Sequence, residues 1–283
     1  MSEDSLPEEL IHDILAYCIL VSSQIFLDPA NSRAFFHRDG APPSPLAGKQ
    51  LLLVSQRWRR IGAPLLYTSL WLSRAFHTLS VVDLFKSRPS LAEHVVDLRL
   101  DGGFIPQLLD LVSLASNIRN VHLSWNLDAL DDTTTLRKVL LCLRPHTLYL
   151  GHQRSIEVRR QSDTLSTQVD SLIAGEWSSL RYVHLAYWYQ LTAGTARALQ
   201  GAPSLEAICI HCEDLENWSW SRDLLAFFDN PSLHAIYTRS TFSPDFTRKN
   251  LLEHGVRKAV VDRLSFVRHA IEWGEFDEPV FDL

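Results

Sequence analysis

A six-residue pattern recurs along most of this chain and constrains its fold more than any other feature. The pattern is apolar, any, any, apolar, any, apolar, and its copies start at residues 67, 95, 118, 145, 180, 205 and 233. Successive copies therefore begin 23 to 35 residues apart. Alternating apolar residues in so short a run are typical of a strand with one buried face. A period in this range predicts a solenoid in which each turn contributes one strand.

Helical apolar patterns fill the spaces between these strands, at 108–115, 136–143, 196–199 and 224–228, and the polar stretch 151–179 reads as a loop followed by a helix. Strand and helix in alternation predict an α/β fold, with a parallel sheet and helices on one side. The repeats resemble leucine-rich repeats. They are degenerate, because they lack the asparagine ladder of the usual pattern. An ordinary α/β domain with chance spacing stays open as the alternative. The apolar spacing of 256–271 predicts a helix that closes the end of the solenoid.

One residue in each copy is expected to point away from the core. If the apolar positions are buried, the residue between the last two faces the other side of the sheet. Aromatic residues and arginine are enriched at protein-binding hot spots, which predicts a substrate-binding row. The alternative is a solvated face on which Tyr and Trp reflect only β-propensity. The row consists of Trp71, Arg99, His122, Tyr149, His184 and Tyr237, with Cys209 at the equivalent position of the sixth copy.

Two helical motifs precede the repeats. LPEELIHDIL, from Leu6, carries an apolar stripe behind a proline, and LLLVSQRWRRIGAPLLYTSL, from Leu51, begins as a second helix that Pro64 is predicted to end. The stretch 27–48 between them is rich in proline and glycine and is predicted to be a loop.

Together these motifs resemble an F-box domain, particularly the F-box-like segments of fungal proteins. The resemblance implies a helical unit that docks on the Skp-type adaptor of cullin-RING ubiquitin ligases. This chain departs from the family in the long Pro-rich insertion. The alternative is that both helices only cap the remaining domain. The matching positions are Leu6, Pro7, Leu10, Ile14, Leu15, Leu53, Val54, Ser55, Trp58, Leu66 and Tyr67, of which Leu6, Pro7, Leu10, Ile14, Leu15, Leu53, Val54 and Trp58 are expected to bind the adaptor.

Composition and motifs argue against several classes of function. The net charge of −6 argues against a general nucleic-acid binder, and the longest apolar run is too short for a membrane span. Four cysteines in 283 residues favour a reducing compartment, either cytoplasm or nucleus. Cys209 and Cys212 stand three apart in a predicted strand, so they point to opposite faces and suit no metal. No hydrolase, zinc-protease or dinucleotide motif occurs, so neither an enzyme nor a cofactor is expected.

The sequence thus predicts three regions. An F-box-like helical domain spans 1–66, a leucine-rich-repeat-like solenoid with its capping helix spans 67–271, and an acidic tail spans 272–283. The function that the resemblance implies is substrate recognition within a cullin-RING (SCF-type) ubiquitin ligase. The partners would be the Skp-type adaptor with its cullin core and a protein substrate. The alternatives are a leucine-rich-repeat scaffold without a ligase role and a hydrolase with an unrecognised site.

Overall fold

One parallel sheet runs through the repeat region. A computed structural model describes residues 6–27, 50–124, 132–151, 159–185, 191–211, 226–239, 244–253, 255–263 and 265–268. Within this part of the chain, eight strands pair in parallel and in sequence order, which confirms the predicted α/β class. They are β1 (Ser69–Leu72), β2 (Asp97–Leu100), β3 (Asn120–Leu123), β4 (Thr147–Leu150), β5 (Tyr182–Leu185), β6 (Ala207–His211), β7 (Ala235–Arg239) and β8 (Ser265–Arg268).

Helices connect the strands and pack on one another as one layer. The N-terminal region contributes α1 (Glu8–Ile19), α2 (Ser23–Leu27) and α3 (Gln56–Leu66). The repeats contribute α4 (Ala75–Ser87), α5 (Pro89–Ala92), α6 (Gln107–Leu114), α7 (Thr133–Cys142), α8 (Arg159–Ser171), α9 (Ala193–Gly201), α10 (Pro244–Glu253) and α11 (Lys258–Arg263). A π-helical turn (Leu172–Glu176) extends α8, and a 3₁₀ turn (Ala226–Asp229) precedes β7.

The strand register is fixed by one backbone carbonyl in each repeat. The carbonyl of Val96 accepts the N–H groups of both Arg119 and Asn120, and the carbonyl of His146 accepts those of Arg181 and Tyr182. The same arrangement, in which one carbonyl oxygen accepts two N–H groups, recurs at Thr68, Arg119, Arg181 and Glu206. Because the acceptor stands just before each strand, every strand begins level with the strand before it.

The apolar pattern residues form the core, as the alternation predicts. Leu98, Val121, Leu148, Val183 and Ile208 are fully buried between the sheet and the helices. Two of the serines that precede a pattern copy add bonds between repeats. The hydroxyl of Ser179 donates to the carbonyl of Pro145, and that of Ser232 donates to the carbonyl of Pro203.

The C-terminal end differs from the sequence prediction. A single helix was expected over 256–271, but α11 ends at Arg263 and β8 follows it. The new strand pairs with β7 and so continues the sheet by one more repeat. The apolar residues of this stretch alternate closely enough to suit either a short helix or a strand, and the open edge of β7 selects the strand.

The N-terminal helices form a small core of their own. Ile11, Leu15 and Ile19 of α1 pack against α3 and Leu52. Gly62 of α3 permits the close approach, because a Cβ there would clash with Leu52 and lie 3.0 Å from Leu15 Cδ1.

Two predictions about this region are wrong in detail. The second motif does not form one continuous helix: the chain is helical at residues 50–51, turns over 52–54, and a new helix begins at Gln56, where Ser55 caps it by accepting the N–H of Trp58. Pro64 does not end the helix, which continues to Leu66. A proline in the last turn removes only one helical hydrogen bond, and the apolar residues around it are held by the packing of the helix pair. Residue 27, predicted to start the loop, instead ends α2, while 28–48 and the tail 272–283 lie outside the described residues.

We expect the two faces of a repeat to respond differently to truncation. Leu148→Ala removes a fully buried side chain of β4 and should lower the free energy of unfolding by about 2–5 kcal/mol. Leu141→Ala, at an exposed site on α7, is the matched control and should change it by less than about 0.5 kcal/mol. Chemical denaturation of both variants measures the difference, and equal losses would contradict the assigned core.

Candidate functional site

The predicted row lies in one line across the sheet. Strand pairing places Trp71 beside Arg99, Arg99 beside His122, and so on through Tyr149, His184, Cys209 and Tyr237. Successive members touch: the Arg99 guanidinium lies 5.1 Å from the centroid of the Trp71 ring, and the rings of Tyr149 and His184 stack with centroids 4.1 Å apart. The sequence pattern therefore identified the residues that share this face.

The first part of the row is covered by the chain itself. The short helix α2, between α1 and the Pro-rich stretch, lies on strands β2 and β3. Phe26 and Leu27 are buried there in a cluster with Tyr149, against which Trp71 and Val21 also pack. Arg99, His122 and Tyr149 are consequently buried, and the expectation that they line an open face is wrong. We refer to residues 23–27 as the strap.

Polar contacts hold the strap at both ends. Near its start, the hydroxyl of Ser23 donates to Asp97 Oδ2 over 3.0 Å. At its C-terminal end, Arg99 Nη1 donates to the carbonyl of Phe26 over 3.0 Å, and His122 Nδ1 lies 2.6 Å from the carbonyl oxygen of Leu27. The last carbonyls of a helix lack partners within the helix and attract cationic donors.

Asp101 organises the donors beneath the strap. Its carboxylate accepts from Trp71 Nε1 and Arg99 Nε, both over 2.8 Å, and its Oδ1 lies 3.2 Å from His122 Nε2. Gly151, at the end of the next strand, leaves room for the imidazole, since a Cβ there would lie 2.9 Å from His122 Nε2. The arrangement fixes the orientation of both groups that bind the strap carbonyls.

Asp97 in β2 is buried, Asp101 just beyond the strand is half-buried, and their pKa values are shifted in opposite directions. Burial raises the pKa of Asp97, against the opposing effect of hydrogen bonds from Asn120, Ser69 and Ser23. Burial would likewise raise the pKa of Asp101, but the hydrogen bond and charge of His122, followed by the charge of Arg99, hold it below its usual value. Asp101 is therefore ionised near neutral pH and serves as the counter-ion of Arg99.

The remaining row residues are less covered. Trp71, His184 and Tyr237 are half-buried, whereas Cys209 is buried. Of the predicted substrate-binding residues, these three half-buried side chains alone keep accessible surface.

The predicted adaptor-binding residues divide into two groups. Leu15 is buried in the helix pair, and Leu6 and Trp58 are half-buried against it. Pro7, Leu10, Ile14, Leu53 and Val54 are exposed. The exposed members of α1 continue through Tyr17, so residues 7, 10, 14 and 17 form a second apolar stripe beside the buried one.

Sequence reasoning missed the strap and its acidic partners. The signal for Asp97 and Asp101 was present, because they alternate with Leu98 and Leu100 as Arg99 does and must share its face. The strap had a weaker signal: Ile25, Phe26 and Leu27 are three apolar residues in a row, and of these only Leu27 falls in the predicted loop.

The part of the chain that the structure describes offers neither a metal site nor a membrane-spanning helix. In the described ranges, no three His, Cys, Asp or Glu side chains are grouped so that they could hold a metal ion. No helix in this part of the chain has the length and apolarity needed to cross a membrane. Among known proteins, no family matches the chain and no curated protein is detectably similar to it.

Asp101 should make the stability of the protein depend on acid pH. A carboxylate whose folded pKa is lowered stabilises the fold above its unfolded pKa, and this contribution is lost as the pH falls through the folded value. Asp101→Asn removes the titrating group, so the difference in unfolding free energy between wild type and variant should shrink from about pH 6 to about pH 3. Urea denaturation across this range measures it, and a difference that stays constant would contradict the assigned pairing.

Proposed function

We propose that this chain is an F-box-like protein, the substrate-recognition subunit of a cullin-RING (SCF-type) ubiquitin ligase. In this proposal the α1–α3 unit docks on a Skp-type adaptor, and the sheet of the leucine-rich-repeat-like solenoid binds a protein substrate. The chain carries out no chemistry itself. It holds the substrate near the ligase, which raises the effective concentration of the reacting groups.

The observation that carries the proposal is the exposed apolar stripe on α1. A helix that only capped the solenoid would need one apolar face, and α1 already buries Ile11, Leu15 and Ile19. It nevertheless exposes a second set, with 44% of Ile14 and 89% of Tyr17 accessible. Clustered exposed apolar residues of this kind mark protein interaction surfaces.

The turn before α3 extends this apolar surface. Leu52 is buried between α1 and α3, whereas Leu53, which follows it, is 75% exposed, and Val54 is exposed as well. Both positions match the F-box resemblance, as do Pro7, Leu10 and Ile14. The residues that the resemblance assigns to the adaptor are thus largely those that the helix pair leaves accessible.

Polar contacts between α3 and the start of α1 hold this surface in place. Arg60 pairs with Glu8, and Arg57 Nη2 donates to the carbonyl of Leu6 over 2.7 Å. These contacts hold the start of α1 against α3, and Glu8 also lies at the positive end of the α1 dipole. The exposed stripe is therefore presented on a fixed scaffold, which reduces the entropy lost on docking.

The substrate side of the proposal rests on the row beyond the strap. Because α2 covers the early part of the row, a substrate would first meet the half-buried side chains of His184 and Tyr237. Aromatic groups that are partly accessible and braced by stacking suit a protein-binding surface.

Loss of the exposed stripe should abolish adaptor binding without unfolding the protein. Leu10→Asp combined with Ile14→Asp places two charges on the surface and leaves the buried stripe of α1 intact. We expect affinity for a purified Skp-type adaptor to fall by about 30-fold or more, the size of a hot-spot loss of about 2 kcal/mol. Isothermal titration calorimetry measures affinity, and a thermal melt checks the fold.

Leu141→Asp is the matched control, because it places the same charge on an exposed leucine of α7 and should bind normally. Leu6 is a poorer target than the exposed pair, since it packs in the helix core and its loss would disturb folding. A wild-type chain that does not bind the adaptor would refute the ligase role and favour a repeat scaffold without it.

A further inference from the structure

We propose that the strap occupies a peptide-docking site on the sheet, and that a protein substrate binds there by replacing it with a segment of the same chemistry. That segment carries a hydroxyl group and, three residues later, an aromatic and an aliphatic side chain in succession, as Ser23, Phe26 and Leu27 do. The inference rests on the proposed role of the sheet in substrate binding and names the kind of segment bound.

The strap contacts the sheet partly through its main chain, as a bound peptide does. Arg99 Nη1 donates to the carbonyl of Phe26 over 3.0 Å, and His122 Nδ1 lies 2.6 Å from the carbonyl oxygen of Leu27. These contacts do not depend on which residues the strap contains, because every residue has a carbonyl. A segment of another chain that brings two successive carbonyls to this place therefore meets the same two nitrogen atoms.

The apolar floor of the site supplies the selectivity. Phe26 and Leu27 are buried in a cluster with Tyr149, against which Trp71 also packs. The ring of Tyr149 stacks on His184, and Trp71 Nε1 donates to a carboxylate at the end of β2, so neither aromatic side chain depends on the strap for its position. A floor of aromatic rings buries large apolar side chains well, which favours an aromatic and aliphatic pair.

Departure of the strap leaves the charged residues of the site with partners. Asp97 keeps the hydrogen bonds from Ser69 and Asn120, over 2.8 Å and 2.9 Å, and Arg99 keeps its bond to Asp101 over 2.8 Å. Removing one partner of a buried ion pair is strongly destabilising because it leaves an uncompensated charge. Here neither Asp97 nor Arg99 loses its last partner, so another segment can take the place of the strap.

The strap also packs apart from the two main cores. Its cluster shares no member with the core of the α1 and α3 pair, nor with the core between the sheet and the helices. The strap carbonyl that Arg99 contacts lies 73 residues away along the chain. Movement of the strap therefore opens neither core.

A substrate segment can gain contacts that the strap does not make. The strap competes as a tethered ligand, with an effective concentration on the order of millimolar. Beyond it, the row continues through His184 and Tyr237, which are half-buried. A longer segment that continues across these side chains adds aromatic contacts, which offset the advantage of the tether.

Peptide binding to a chain with a vacated site tests the inference. Phe26→Ser combined with Leu27→Ser removes both apolar side chains from the floor and leaves the sheet residues in place. The probe is a fluorescent peptide, VSSQIFL, which reproduces residues 21–27 and has an amidated C-terminus. Fluorescence anisotropy should show binding to the double variant about tenfold tighter or more than to the wild type, in which the strap holds the site.

A matched peptide and a matched protein variant serve as controls. The peptide VSSQIAA keeps the carbonyls but lacks the apolar pair, and should bind the double variant about tenfold more weakly, the size of a hot-spot loss. Leu141→Ser changes an exposed leucine of α7 and should bind VSSQIFL as weakly as the wild type does. Equal binding of the two peptides to the double variant, or no gain over the wild type, would overturn the docking site.

Hydrogen–deuterium exchange of the wild-type chain decides the matter if the double variant does not fold. A replaceable strap opens without global unfolding. The amide of Phe26, which donates to the carbonyl of Ser22, should therefore exchange about tenfold faster or more than the slowest amides of β3. A strap that exchanges as slowly as β3 is a fixed part of the fold, and this result would also overturn the proposal. Neither measurement includes the adaptor, so the outcome is independent of whether α1 binds one.

Discussion

No strand–helix unit of this chain can bury its own apolar side chains, and the rest of the structure follows from that constraint. Each strand is four or five residues long and is covered by the helix of its own repeat and those of its neighbours. A stack of such units is stable only when both ends are closed. At one end β8 and α11 extend the stack, and at the other α3 leads directly into β1. The N-terminal helix pair is therefore attached to the solenoid by a short connection of the chain.

The strap adds a second attachment, through buried polar groups rather than apolar packing alone. Burying charge is costly unless each group is paired, and here Arg99, Asp101 and His122 are paired with one another and with the carbonyls of α2. Such a network adds little net stability compared with apolar residues of the same volume. It does specify where α2 lies, because Arg99 and His122 contact the carbonyls of Phe26 and Leu27 directly. One face of the early repeats is therefore complementary to a segment of the same chain.

The sequence predicted the features that are periodic and missed those that are not. The alternation in β2 to β7 placed Leu148, Val183 and Ile236 in the core, and the same alternation aligned the outward row correctly. Burial of Arg99 and His122 was not predictable from alternation, because it is caused by a segment more than 70 residues away in the chain. The sequence predicted one apolar stripe on α1, whereas the structure has a buried stripe and an exposed one. Which residues are buried depends on where α3 packs. Contacts between distant segments leave no period in the sequence.

The helices α1 and α2 are neighbours in the chain, but they differ in which side chains they leave exposed and which they bury. The stripe of α1 is exposed although it is apolar, whereas the row beneath α2 is buried although it is charged. Each arrangement costs free energy unless something else benefits from it. An adaptor covering Leu10 and Ile14 would remove the first cost, and the hydrogen bonds of Arg99 to Asp101 and to the Phe26 carbonyl reduce the second. Because α1 and α2 are separated by only three residues, a partner that docks on α1 acts on a segment directly beside α2. Coupling between them would appear as a change in the amide hydrogen exchange of residues 23–27 when an adaptor binds.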